Sequence, residues 1–500
     1  MKPGISNILL LLASLSFNFI SYAQTVHVLQ HGDIQSSAES IMSDPAFSSS
    51  SVSICAMTGD GHKILDINAG TMLLPASNMK LLSTGAALCA LGPAYKFSTS
   101  IAYSGEISGG VLQGDLYIVG GGDPTLGSKD SIATDITKTF AQWEAMLRKH
   151  GIRKIDGKII GDGRYFGGMA EEPTWLWNDI GTYYGTGTGG LMFYENMQSF
   201  LVSPGKSEGD PVEISPLYPE APWMEFRYSC TTGKAGTGDM LYMYTSDLAP
   251  IAEIRGTFAL DRGRKRVDCS NKFPEYTCAK YFADYLASHG IPCTEGPGDF
   301  RLSKAEENGE PATVIGRTSS PSLARIIFET NHASNNLYAE TLLRTLGKTL
   351  GQGADYESSI KAMESTLQKT GTDISRGLHA KDGSGLSRQN YVSADFFCRF
   401  LSAMMDTPHF EDFVNSLPSP GEDGTLRYNM KSAAAQTRSR IKVKSGSMNG
   451  VRCYSGYIIP REGCKDETIV FSILVNNCTS PNWKTRPLLD RLMEELASMN

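Results

Sequence analysis

Apolar and polar positions alternate mainly towards the two ends of the chain. Ser51 to Ala56 and Lys63 to Asn68 read as strands, and the turn Thr58-Gly59-Asp60-Gly61 between them predicts a hairpin. Ile441 to Val443, Tyr454 to Ile459 and Thr468 to Val475 read as three more strands, followed by a closing helix over Trp483 to Ser498. Between these ends the apolar spacing is mostly helical. A helix starting near Ser77 has Leu81, Leu82, Ala86, Ala87, Leu88 and Leu91 as its apolar members. Gln35 to Met42, Ser131 to Lys149, Tyr276 to His289 and Asp355 to Lys369 read as helices, and Ser322 to Gly347 as a helix broken at Ser334-Asn335-Asn336. Phe97 to Tyr103, Gly110 to Val119 and Ile155 to Gly161 read as strands, and short strands and turns run on to about Gly256. Terminal strands around central helices predict an α+β domain, with helices packed on an antiparallel sheet.

Two stretches need chemistry as well as pattern. Gly120-Gly121-Gly122-Asp123-Pro124 follows a strand but lacks the Gly-Lys-Ser/Thr of a phosphate loop, and Pro124 blocks the helix that motif requires. It reads as a tight structural loop. Glu171 to Asn196 holds Trp175, Trp177, Tyr183, Tyr184, Phe193 and Tyr194 among glycines. It reads equally as a small core under loops or as the wall of a substrate cleft.

Length and charge narrow the class. Five hundred residues exceed one simple core, so two or three domains are expected. A net charge of −7 argues against a nucleic-acid partner. Lys2, the apolar run Ile8 to Ile20 and the small-x-small site Ser21-Tyr22-Ala23 predict a leader over residues 1–23, cut after Ala23, and export to a periplasm or beyond. No later stretch is apolar enough to span a bilayer. Ten cysteines permit disulfides in an exported chain; Cys269/Cys278 and Cys464/Cys478 are near neighbours, and pairing stays open. The eight histidines form no His-x-x-x-His pair, so neither a metal nor another cofactor is expected.

The candidate chemistry centres on serine and lysine. Ser-x-x-Lys occurs four times, at Ser77/Lys80, Ser203/Lys206, Ser358/Lys361 and Ser439/Lys442. Only Ser77 begins a largely apolar helix, which would place Lys80 one turn on and aim a helix-start N–H at an oxyanion. Serine with an amine base suits a nucleophile for acyl transfer. The break at Ser334 offers a hydroxyl proton relay, with Asn336 as a partner for Lys80 and substrate; the plain alternative makes Ser334 a helix N-cap. Lys369-Thr370-Gly371-Thr372 and Lys444-Ser445-Gly446-Ser447 compete as a third element. Lys369 ends a helix, whereas Lys444 sits on a strand that could offer backbone groups to an extended peptide, so Lys444 is preferred. It would supply positive charge for a terminal carboxylate, and Ser445 a hydroxyl.

The order Ser-x-x-Lys, Ser-x-Asn, Lys-Ser-Gly resembles the penicillin-recognising serine enzymes. The long interval from Ser77 to Ser334 resembles the low-molecular-mass class C penicillin-binding proteins, the D-alanyl-D-alanine carboxypeptidase/endopeptidase family. Gly121 to Leu126, Trp177-Asn178-Asp179, Tyr183-Tyr184-Gly185, Ser334 to Glu340, Asp382 to Ser387 and Asp423 to Leu426 agree with it. Ser445 departs from the family's usual threonine but keeps the hydroxyl.

The resemblance implies a transpeptidase-like domain, of the penicillin-binding-protein and β-lactamase type, over 24–103 and 316–500. A second domain would cover 104–165 and 250–315, and a third 166–249. It also implies cleavage of peptidoglycan stem peptides at D-Ala bonds through a Ser77 acyl-enzyme, with β-lactams as inhibitors. Lys80 would be the base, Ser334 the relay to the leaving amine and Lys444 its electrostatic tuner. Ser445, Gly446 and the Ser447 N–H would bind substrate and oxyanion. A serine β-lactamase and a non-catalytic wall-binding protein are the rival readings. Oligomeric state is left open.

Overall fold

The structure is a computed structural model, described for residues 31–300, 313–351, 353–422, 424–461 and 465–499. The expected leader, Asp423 and Cys464 lie outside the described residues. Among the described residues no helix is long and apolar enough to cross a membrane.

The two chain ends combine into one sheet. Its strands run in the order Lys63–Ile67, Ser51–Thr58, Ile469–Asn476, Val451–Ile458 and Ile441–Met448, every neighbour antiparallel. The central strand, IVFSILVN, is buried along its whole length, because both faces of the sheet are covered. Period-2 alternation sends Ile469, Phe471, Ile473 and Val475 to one face and Val470 and Leu474 to the other. The first face packs the His31–Met42 helix, through Ile34, Ala38 and Ile41, and the Asn482–Ala497 helix, through Leu489, Leu492, Met493 and Leu496. The second packs the helices Met79–Leu91 and Ala394–Met405. Behind these lie Leu323–His332, Asn336–Thr349 and Tyr356–Lys369. This is the expected antiparallel sheet with flanking helices.

A second five-stranded sheet has the order Pro297–Asp299, Ile159–Asp162, Leu116–Gly120, Ser98–Tyr103, Thr313–Ser319. Helices Ile136–Lys149 and Pro274–Ser288 cover it, with Phe140, Trp143 and Phe282 in mutual ring contact. A third unit holds two three-stranded sheets. One is Glu213–Leu217, Met197–Ser203 and Lys265–Ser270; the other is Glu225–Gly233, Ala249–Ala259 and Asp239–Ser246. Phe200, Met243, Ile254, Phe258 and Phe273 form its core.

These sheets correct the expected boundaries. Cuts at 103 and 316 would leave Ser98–Tyr103 and part of Thr313–Ser319 with the first unit, yet both strands pair inside the second sheet. A cut at 249/250 would put Ala249–Ala259 and Lys265–Ser270 in the second unit, yet they pair with strands of the third. Strand partners decide these memberships, and strand partners are remote in sequence. The strand expected over Gly110 to Val119 is also two strands, Val111–Gln113 and Leu116–Gly120, in separate sheets. The nine described cysteines are free thiols; Cys269 and Cys278 are each buried in a different core.

Phe282→Ala should remove the ring that packs against both Phe140 and Trp143. The expected loss is about 3–5 kcal/mol of stability, read as a lower midpoint in denaturant melts.

Candidate active site

The Ser77 turn is fixed before its chemistry begins. Ala76–Asn78 forms a single 3₁₀ turn leading directly into the Met79–Leu91 helix, so the helix starts two residues later than expected. Ala76 carries a left-handed φ of 46°, which turns the chain sharply at the serine. Two glycines press on this turn. A Cβ on Gly385 would lie 1.8 Å from the Ala76 carbonyl oxygen, and one on Gly446 would lie 2.6 Å from that of Pro75. Asn78 Nδ2 donates to Ser455 Oγ at 2.7 Å, tying the turn to the main sheet.

Lys80 is fully buried. Its Nζ lies 3.0 Å from Ser77 Oγ, 2.6 Å from Asn336 Oδ1 and 2.7 Å from the Ser384 carbonyl oxygen. Burial brings its pKa down to about 7, against the opposing pull of the Glu340 and Asp382 carboxylates. Asn336 Nδ2 donates to the Tyr184 carbonyl at 2.9 Å, which turns its Oδ1 towards Lys80.

Ser334 lies in the break between two helices with a φ of 58°, a left-handed position uncommon for a serine. The N-cap of Asn336–Thr349 is Asn335, whose Oδ1 accepts from the Tyr338 N–H at 3.1 Å. Ser334 is therefore not the cap. Its Oγ accepts from Lys444 Nζ at 3.0 Å. Lys444 is fully buried and donates also to the Ser445 carbonyl at 2.7 Å. Burial, and then the nearby Lys80, push its pKa well below the ordinary lysine value.

Ser77, Ser334, Asn336, Ser445, Gly446 and Ser447 all line one cleft of about 1030 Å³. Ser445 Oγ lies 2.8 Å from Thr425 Oγ1. The competing lysine is elsewhere: Lys369 ends its helix exposed, and Thr370 is the C-cap. Lys361 pairs with Glu357 on an exposed helix face, and Lys442 donates to Ser419 Oγ.

Sequence reasoning missed the groups behind Lys80. Glu340 is buried, and its two oxygens accept from the N–H groups of Gly383 and Ser384. Burial, then the neighbouring Asp382, push its pKa above the ordinary glutamate value. Asp382 accepts from the Gly385 and Ser387 N–H groups, from Asn390 Nδ2 and from Trp175 Nε1. Together they hold the loop that aims the Ser384 carbonyl at Lys80. The run Asp-Gly-Ser-Gly at 382–385 was the available signal, but its partner Glu340 shows only in three dimensions.

The aromatic stretch divides between its two readings. Asp179, Tyr183 and Tyr184 line the cleft, whereas Phe193 and Tyr194 are core. The same stretch braces the site. Glu195 Oε2 accepts from Asn335 Nδ2, and Lys272 donates to Glu171 and to the Gly185 and Thr186 carbonyls. Arg344 donates to the carbonyls of Gly167, Met169, Thr188 and Ala354.

Residues 34–494 match the model of the D-Ala-D-Ala carboxypeptidase 3 (S13) family. The chain is 28% identical over 462 residues to a D-alanyl-D-alanine carboxypeptidase of Actinomadura sp. (strain R39), covering 90% of this chain and 82% of the relative. It is 23% identical over 437 residues to the D-alanyl-D-alanine carboxypeptidase DacB of Haemophilus influenzae, covering 85% and 84%. The crystal structure of penicillin binding protein 4 (dacB) from Haemophilus influenzae superposes with a TM-score of 0.76 at 21% identity, covering 94% of this chain and 98% of that one. A match that spans the first helix, both inserted units and the last shows that the chain belongs to the D-Ala-D-Ala carboxypeptidase 3 (S13) family.

Proposed function

We propose that this protein is an exported serine DD-peptidase that cleaves D-Ala-D-X bonds of peptidoglycan stem peptides through an acyl-enzyme on Ser77. The carrying observation is the surroundings of Lys80. A neutral amine has two N–H groups and one lone pair. Asn336 Oδ1 and the Ser384 carbonyl are acceptors at 2.6 and 2.7 Å. They take the two N–H groups and leave the lone pair for the Ser77 hydroxyl at 3.0 Å. Burial favours that neutral state. The contact with Ser77 is then a general-base contact: the hydroxyl donates and the amine accepts.

In acylation Ser77 Oγ attacks the D-Ala carbonyl while its proton moves to Lys80 Nζ. The N–H groups of Ser77 and Ser447 hold the oxyanion. As the C–N bond breaks, Ser334 gives its proton to the leaving amine and takes up in its place the proton held by Lys80, while Lys444, which donates to that hydroxyl, tunes it. Asn336 orients Lys80 and the substrate amide. Water then attacks the ester, and D-Ala or the departing cross-link peptide has already left. Ser445 and Gly446 contribute hydroxyl and backbone contacts along the substrate. A β-lactam acylates the same serine without a departing amine and stalls there. None of these steps calls for a metal or organic cofactor.

Fluorescent penicillin should label the protein at Ser77, mapped by mass spectrometry, and Ser77→Ala should not label. Labelling of another serine would sink the assignment. Lys444→Ala should lower kcat/KM on a D-Ala-D-Ala peptide by roughly 100-fold or more, while Lys369→Ala stays near wild type; the reverse ranking would assign the third element to Lys369. Because the base must be neutral, kcat/KM should fall as pH drops through about 7, the Lys80 value. A flat profile from pH 5 to 8, read with the same peptide, rules against Lys80 as base.

A further inference from the structure

The lysine expected to attract a substrate carboxylate is badly placed for it. Lys444 has no exposed surface, and its Nζ is committed to Ser334 Oγ and the Ser445 carbonyl. The hydroxyls of the same strand still face the cleft. Antiparallel register sets Ser447 directly opposite Arg452 and Ser445 opposite Tyr454, so these four side chains project from one face of the strand pair. Arg452 lines the cleft with Ser445, Ser447 and Arg486.

Neither arginine is salt-bridged to a carboxylate among the described residues, although Asp490 lies within electrostatic reach of Arg486. Arg452 Nη1 donates to the Met448 and Val451 carbonyls at 3.0 and 2.7 Å, and Nε to Asn482 Oδ1 at 3.2 Å. These bonds fix the guanidinium and leave Nη2 unused. Arg486 lies half-buried on the Asn482–Ala497 helix. The acid one turn along, Asp490, is already engaged by Asn429 Nδ2 and the Met430 N–H. A half-buried arginine held by neutral carbonyls, with a second arginine beside it on the same cleft, is matched to a planar anion, because the guanidinium fork fits two carboxylate oxygens.

Which anion follows from the reaction. Ser334 serves the leaving amine, and it sits beside Lys444. The departing residue therefore lies towards the Lys444–Ser447 end of the cleft, and its carboxylate is the nearest substrate anion to Arg452. Resting on the DD-peptidase reading, we infer that Arg452 and Arg486 form the subsite for the carboxylate of the departing amino acid, with the Ser445 and Ser447 hydroxyls as its neutral ligands.

The experiment compares two substrates, an N-acylated D-Ala-D-Ala peptide and its C-terminal amide. The double variant R452Q/R486Q should lower kcat/KM for the free acid about tenfold or more, chiefly through KM. The acid-to-amide preference should collapse towards unity, and R452K/R486K should recover part of it. Equal losses on acid and amide would make the arginines structural and overturn the inference, as would an unchanged preference. Retained turnover of the amide and an unchanged melting curve for each variant separate misfolding from lost carboxylate recognition. Wild-type protein that cleaves neither peptide overturns the DD-peptidase reading, and this inference with it. Normal wild-type cleavage with a preference insensitive to both arginines overturns the subsite alone.

Discussion

One buried amine organises this molecule. Removing the Lys80 side chain from water costs several kcal/mol unless its polar atoms are satisfied, and here every partner comes from a different part of the chain. Ser77 lies one turn away, Asn336 follows a helix break, and Ser384 belongs to a loop near residue 390. The loop is itself held by two buried carboxylates that accept six N–H donors between them. That network fixes the Ser384 carbonyl in one direction. Gly385 of the same loop and Gly446 of the edge strand close on the nucleophile's turn from two sides. Position and proton affinity of the amine therefore have a common origin: the packing that orients Lys80 also dries it.

The inserted units take part in this arrangement. Tyr184 fixes the amide of Asn336, Glu195 holds Asn335, and Trp175 reaches Asp382. Glu195 sits in three consecutive left-handed residues, 194 to 196, a conformation disfavoured for side chains with a Cβ. Such backbone persists where its surroundings over-determine it. Here Ser128 and Asn335 both bind the Glu195 carboxylate. The insertion is thus a brace for the Ser334 segment as well as one wall of the cleft.

That Ser77, Lys80, Ser334, Asn336 and Lys444 would meet was legible because each carries a local signature. A serine opening an apolar helix, a polar triplet breaking another and a lysine on an alternating strand can each be seen without a partner. Context also separated Lys444 from Lys369, although Lys369 has the closer letter match. What stayed hidden depends on pairing. Glu340 reads as an ordinary helical glutamate until the 382–390 loop folds over it. The strand near 98–103 falls to the first unit in sequence until its partners at 116–120 and 313–319 place it in the second sheet. Arg452 carried no signal of its own, because its neighbour Ser447 is set by register and not by sequence distance. The aromatic stretch resisted a single reading since it does both things, its first half facing the cleft and its second half filling a core.

The main sheet pairs Ser51–Thr58 with Ile469–Asn476, the start of the described chain with its end. A polypeptide made from its N-terminus must carry the first hairpin, and the Ser77 helix behind it, without their central neighbour until the last strands are delivered. Contacts of such separation form slowly, whereas the two inserted units hold their own cores and can be complete sooner. The cleft is consequently incomplete through most of the chain's own synthesis. Ser77 is made early, and the strand Ile441–Met448 that lines the cleft opposite it is among the last.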